Sequence, residues 1–217
     1  TTNHFQFADP DALTNQGTFN HTHLLGDKRI NDANTSITVT NTNTIETSDA
    51  VFGSAVIGDF IHVTGLANEE NNGTHKISAV NSNQQVVVES VLTNVSSTAS
   101  CKVQQNVKGA TALSLDTTSS FTGTIKKGDY LGITAGTATT ANPVQLVMAV
   151  EDATLTDASP DRYSVRIEPK LRSDLADGNF VIFQNPKGLF RLRENTVEWS
   201  ADRLSLYGIS FSCIEVV

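Results

Sequence analysis

The sequence predicts an all-β fold: two small tandem β-barrel or sandwich modules followed by a C-terminal β-hairpin. Composition is the first observation behind this reading. The 217 residues include 27 Thr and 18 Asn, and only 18% are charged, against about 25% in an average soluble domain. Thr is β-branched and favours strands, while Asn favours turns. Alternation is the second observation. In Tyr163-Ser164-Val165-Arg166-Ile167-Glu168 the odd-numbered residues form one apolar face and the even-numbered ones a polar face, the pattern of a half-buried strand. The third is an internal repeat. Gly58-Asp59-Phe60-Ile61-His62-Val63-Thr64 returns seventy positions later as Gly128-Asp129-Tyr130-Leu131-Gly132-Ile133-Thr134, and self-similarity at a fixed spacing marks a repeated structural unit.

The order of the flanking segments supports the repeat. Ser36–Thr40 precedes the first copy and Thr111–Leu115 the second. After the first copy come strand-like segments at 73–80, 85–89 and 99–103; after the second they come at 144–150, 163–168 and 179–183. Residues 36–107 are therefore one β module and 108–186 another. Asn71-Asn72-Gly73-Thr74 suits a primed hairpin turn, and Asn185-Pro186-Lys187-Gly188 a turn closing the second module. Phe180–Phe183 is continuously apolar, as a strand covered on both faces would be. The best helical segment, around 172–177, is a single turn, with a second at 200–203. Residues 1–35 are rich in Asn, His and Thr, with Phe5, Phe7 and Phe19 as isolated anchors, and read as a polar N-terminal arm. Residues 187–217 are the opposite: an aromatic, aliphatic and Arg-bearing stretch read as paired strands, with Trp199 near the bend.

Motifs for chemistry are scarce. The chain has no Gly-x-Ser-x-Gly, no phosphate-binding Gly-Lys loop and no His-Glu-x-x-His. Glu69-Glu70 and Glu151-Asp152 lie in or beside loops, whereas glycoside hydrolysis needs two carboxyls facing across a cleft. No enzymatic activity, cofactor or metal is expected. His21 and His23 would share a face in an extended segment, with His4 as a third candidate ligand, but surface imidazoles on a polar arm are the better reading. His62 and His75 read as cross-strand neighbours. Cys101 and Cys213 read as thiols in alternating strands rather than a disulfide. The net charge of -8 argues against specific nucleic-acid binding, and no run approaches the roughly 18 apolar residues of a membrane-spanning helix. Arg191 and Arg193 alternate with Phe190 and Leu192, and the stripe adjoins Trp199. Aromatic residues and Arg are enriched at interface hot spots. Phe190, Arg191, Arg193, Trp199, Tyr207 and Phe211 are therefore the candidate oligomer-interface residues.

Two stretches carry a family resemblance. Gly58–Gly65, with Asn72-Gly73-Thr74 and Val86-Val87-Val88-Glu89, resembles β modules of tailed-bacteriophage virion proteins, notably tail tubes. From Gly109 onward, Gly128-Asp129-Tyr130, Ile167–Arg172, Asp177-Gly178, Asn185-Pro186, Gly188–Leu192, Trp199-Ser200 and Tyr207–Phe211 resemble the C-terminal halves of phage minor tail proteins. The closest likeness is to distal tail or tail-tip ring proteins of long-tailed phages. That resemblance implies a homohexameric ring located in the virion tail, between the tail tube and the tip or baseplate proteins, with DNA passing through it. It also implies that the C-terminal hairpin serves ring assembly. The likeness leaves a capsid decoration protein, a head–tail connector and a glycan-binding host-recognition module as alternative roles. An acidic wall fits a DNA channel, because it repels phosphate and lets the polymer slide.

Overall fold

The computed structural model describes residues 5–7, 16–18, 23–117, 123–138, 142–158, 161–193, 198–201, 207–210 and 212–216. They form an all-β protein of eighteen strands with no α-helix among the described residues. Strand β1 (Phe5–Phe7) belongs to a small C-terminal sheet, and β2 (His23–Gly26) to the second of two barrels. Barrel one follows directly. Its strands are β3 (Asn31–Thr40), β4 (Thr44–Thr47), β5 (Phe60–Thr64), β6 (Gly73–Ser82), β7 (Gln85–Val88) and β8 (Val95–Gln104). They close in the order β3-β4-β7-β6-β5-β8, which leaves barrel one without a free edge. Ile37, Val39, Ile45, Ile61, Val63, Ile77, Val86 and Val103 fill its interior and are essentially inaccessible to solvent. Burying each such side chain contributes about 1.5–3 kcal/mol relative to leaving it exposed.

Barrel two uses β9 (Ala112–Asp116), β10 (Tyr130–Thr134), β11 (Pro143–Ala149), β12 (Thr154–Ala158), β13 (Asp161–Glu168) and β14 (Phe180–Ile182), together with β2. The sheet runs β11-β10-β14-β2-β9-β13-β12, and β11 also pairs with β13 through Met148↔Glu168 and Ala149↔Ile167. That last pairing brings the sheet back on itself. The ring β2-β9-β13-β11-β10-β14 then has the same order as β3-β4-β7-β6-β5-β8 in barrel one, with β12 as an extra strand hung on β13.

The repeat is thus carried in the connectivity, with two corrections. Thr111–Leu115 corresponds to β4 rather than to Ser36–Thr40, and the counterpart of β3 is β2. The modules are also nested rather than purely tandem, because the whole of barrel one lies between β2 and β9. Within the expected arm, residues 23–35 therefore belong to the two barrels and the linker between them. Leu24 sits fully buried in barrel two, flanked by β14 and β9, and Ile30 is fully buried in barrel one. A four-residue strand needs little hydrophobicity of its own when both neighbours supply hydrogen bonds and cover. Gly26 is required there: a Cβ would lie 2.8 Å from Leu175 Cγ and 2.9 Å from the Ala176 carbonyl oxygen.

Other local expectations change for identifiable reasons. Residues 172–177 form no helix, because their polar groups serve the linkers between the barrels. The Leu175 amide donates to Asn106 O at 2.8 Å, and Asp174 Oδ1 accepts the Lys108 amide at 2.8 Å. Leu171 and Leu175 meanwhile insert into the barrel-two core. Residues 200 and 201 are strand rather than helix. Glu69–Asn71 form one 3-10 turn in place of a primed hairpin, and Asn72 is extended with its side chain bonded to both backbone groups of Leu66. Phe180–Phe183 is not covered on both faces: Val181 and Phe183 are buried, while Phe180 and Ile182 are half-buried.

The repeated Gly-Asp forms the same turn twice. Gly58 and Gly128 adopt φ of 94° and 93°, a region that L side chains enter only with strain. Their amides donate to Ile77 O and Ala149 O at 2.8 and 2.7 Å. Each Asp then folds its carboxylate back over the turn: Asp59 Oδ2 accepts the Val56 amide at 3.0 Å, and Asp129 Oδ2 the Lys126 amide at 2.8 Å. Both carboxylates are buried, and both take a partner from the preceding chain. Arg29 Nη2 donates to Asp59 at 2.9 Å, and the Gln16 amide to Asp129 at 2.6 Å. Asp59→Ala should cost about 3 kcal/mol, since it strips a buried guanidinium of a partner. Asp129→Ala should cost about 1–3 kcal/mol through lost acceptors for backbone donors. Urea denaturation of the two variants measures both losses and should rank Asp59 above Asp129.

Candidate interaction surface

The candidate interface residues among those described fall on strands outside both barrels, or directly after one. Strand β15 (Gly188–Leu192) pairs with β1 on one side and with β18 (Cys213–Glu215) on the other, giving the order β1-β15-β18. Strands β16 (Glu198–Ala201) and β17 (Tyr207–Ser210) form a separate two-stranded ribbon. Among the described residues the C-terminal segment thus forms two antiparallel pairings, β15 with β18 and β16 with β17. A two-stranded ribbon is at best marginally stable by itself in water.

Residue alternation assigns the two faces of β15. Phe190 turns toward barrel two and lines a cleft of about 310 Å³ with Tyr130, Met148, Pro169 and Glu215. Its ring lies 6.4 Å from that of Phe5, tilted by 32°. Arg191 lies opposite Ile214 and is exposed, as is Arg193, whose amide donates to Ser212 O at 2.9 Å. Leu192 and Ile214, two of the four large hydrophobic residues most exposed among the described residues, are 38% and 39% accessible. Trp199 pairs across the ribbon with Ile209, and Tyr207 with Ala201. Phe211 lies outside the described residues. The structure brings Phe190, Arg191 and Arg193 together on one strand and its exit, and places Trp199 and Tyr207 on the neighbouring ribbon.

Two residues missed in the sequence anchor this surface. Glu215 Oε1 accepts the Leu146 amide from β11 at 2.6 Å, and Glu215 Oε2 forms an ion pair with Arg172. The pair is 12% and 29% exposed at its Glu and Arg side chains, so solvent screens it less than an ordinary surface pair. Nothing local in the sequence joins Arg172 to Glu215, because they meet only through the fold.

The remaining polar candidates are positioned structurally. His23 stacks on Phe180 at 3.8 Å between ring centroids, while His4 and His21 lie outside the described residues. Among the described residues no group of three His, Cys, Asp or Glu forms a metal-binding cluster. Cys101 is a buried thiol, its pKa raised by burial, and Cys213 is an exposed one. Asp152 binds Lys126 Nζ at 2.6 Å and the Lys127 amide at 3.0 Å, and these hydrogen bonds lower its pKa. Glu69 and Glu70 sit exposed on their 3-10 turn.

Glu215→Ala should detach β18 while leaving barrel two folded, at a cost of about 1–3 kcal/mol. Limited proteolysis should cut the C-terminal segment several-fold faster in that variant, with the barrel fragment surviving; equal cutting rates would remove Glu215 as the anchor. Comparison with known proteins finds no matching family model, no matching curated protein and no matching solved structure, so the reading of this surface rests on its own chemistry.

Proposed function

We propose that the chain is a structural protein of a bacteriophage tail, a distal tail or tail-tip ring protein that joins the tail tube to the tip or baseplate as a homohexamer. The observation that carries this reading is the location of the apolar and Arg-bearing strands. Both barrels close on themselves, whereas β1-β15-β18 and the β16-β17 ribbon stand outside those rings and, among the described residues, end in strands paired on one side only. Such edges template pairing with another chain, and a closed symmetric ring is the arrangement that satisfies every copy equally. Exposed Ile214 lies opposite Arg191 on one face of the sheet and exposed Leu192 lies on the other, and apolar groups beside Arg have the make-up of an interface centre. The acidic balance of -8 suits a channel for DNA rather than a nucleic-acid-binding surface.

Electron cryomicroscopy of intact virions tests the proposal directly. Six copies should encircle the channel beneath the tail tube, with the C-terminal strands at the contacts between subunits. Label on the capsid or at the head–tail joint, or isolated copies at the tip, would overturn it. Trp199→Ala should weaken assembly by about 2 kcal/mol or more, as truncating an aromatic anchor does, measured as loss of the protein from purified tails.

A further inference from the structure

The two barrels meet along the outer face of β5. Ile61 and Val63 point into the barrel-one core, so Phe60, His62 and Thr64 point the other way. Phe60 is buried beneath Arg166 of β13, whose guanidinium carbon lies 5.7 Å from the ring centroid. His62 Nδ1 lies 3.0 Å from Thr74 Oγ1, and that same oxygen accepts the Thr111 amide at 3.0 Å. Thr111 belongs to the linker that leads into β9. Since Thr74 Oγ1 accepts from Thr111, its hydroxyl proton is free to donate to a neutral His62. Gly109, in the same linker, packs on the imidazole, where a Cβ would lie 3.6 Å from Nε2. Behind this face His75 is 6% exposed, with Nε2 donating to Asn71 O at 2.9 Å and Nδ1 accepting from Ser90 Oγ at 3.1 Å. The Asn71 carbonyl fixes Nε2 of His75 as a donor, and in the neutral ring Nδ1 accepts from Ser90.

We propose that His62 makes the joint between the two barrels acid-sensitive. A proton taken from solvent by His62 Nδ1 turns that nitrogen into a donor toward Thr74 Oγ1. The Thr74 hydroxyl proton then loses its acceptor, and the bond that ties Thr111 to barrel one weakens. The new charge also enters a cationic neighbourhood. Arg166 of β13 lies over Phe60, two residues along the same face of β5, Lys76 lies on the same face of β6, Lys102 on the same face of β8, and Lys108 stands in the linker. The acids nearby are Glu89, paired with Lys76 at 3.4 Å, Asp174, which accepts the Lys108 amide, and Glu168, which lines a pocket with Thr111, Arg166 and Lys170.

Burial, followed by the neighbouring His75, holds His62 below the ordinary imidazole range. Burial also lowers His75, with Arg166 adding to it and the Asn71 bond opposing it. A group depressed in the folded state supplies stability that is present above its unfolded pKa of about 6.5 and is lost as pH falls through the folded value. The joint should therefore be firm at pH 7.5 and looser at 5.5. Hydrogen exchange on the whole chain tests this, with rates corrected for their intrinsic pH dependence. Protection of the Thr111 amide should fall severalfold, up to about tenfold, between those pH values while the Ile61 and Val63 amides keep theirs. His62→Gln, which cannot take up the proton, should hold Thr111 protection flat. Unchanged Thr111 protection in the wild type, or the same fall in His62→Gln, overturns the proposal. Direct titration of the His62 ring by nuclear magnetic resonance covers the case in which the variant fails to fold: a midpoint at or above 6.5 overturns it as well.

Discussion

Two chain crossings between the barrels meet at one buried amide, and the nested architecture depends on it. Asn106 Nδ2 donates to Asp27 O at 2.8 Å and to Ser114 O at 2.7 Å, while its Oδ1 accepts the Ser114 amide at 2.9 Å. The outgoing crossing after β2 and the returning one before β9 are thereby clamped side by side. Asn106 is 1% exposed and sits at φ 54°, a conformation Asn tolerates better than most residues. Gln105, 2% exposed, adds a second clasp by exchanging bonds with Ile30 and reaching Phe60 O. A buried amide with every donor and acceptor satisfied specifies a unique arrangement, because any slip leaves several polar groups without partners.

An ionic cluster reinforces that clamp. Arg29 lies 2.6 Å from Asp27 and 2.9 Å from Asp59, and Arg162 of barrel two approaches Asp27 at 3.7 Å. Burial raises the pKa of Asp27, and the two guanidiniums oppose that rise. Desolvation consumes much of the attraction in such a cluster. Its contribution is therefore better described as orientation: Arg29 links the linker to the Gly-Asp turn of barrel one, and Arg162 links the same carboxylate to barrel two.

Local patterns in the sequence were legible where one segment carries its own signal. The alternation of Tyr163, Val165 and Ile167 marks β13, and the Gly-Asp pair marks a turn whose φ and side-chain capping recur in both barrels. Pairing partners were less legible. Strand β2 was hidden because its four residues sit in a polar stretch, and only the neighbouring strands give Leu24 a core to enter. The equivalence of β4 with β9 required knowing the order around the ring, which no single segment encodes. Of the candidate surface, the aromatic and Arg pattern was readable along β15, whereas the anchoring bonds of Glu215 depend on β11 and Arg172 being brought beside it.

The ends of barrel one are hydrogen-bonding neighbours in its own ladder, with Asn31 opposite Gln104. An insertion whose two ends lie one strand spacing apart, about 4.8 Å, imposes almost no separation on the host strands that flank it. For the outer barrel, the 85 residues between β2 and β9 (27–111) are topologically equivalent to a short hairpin loop. Barrel one is in this sense a cassette, and any domain with similarly adjacent ends satisfies the geometry that β2 and β9 demand of their connection.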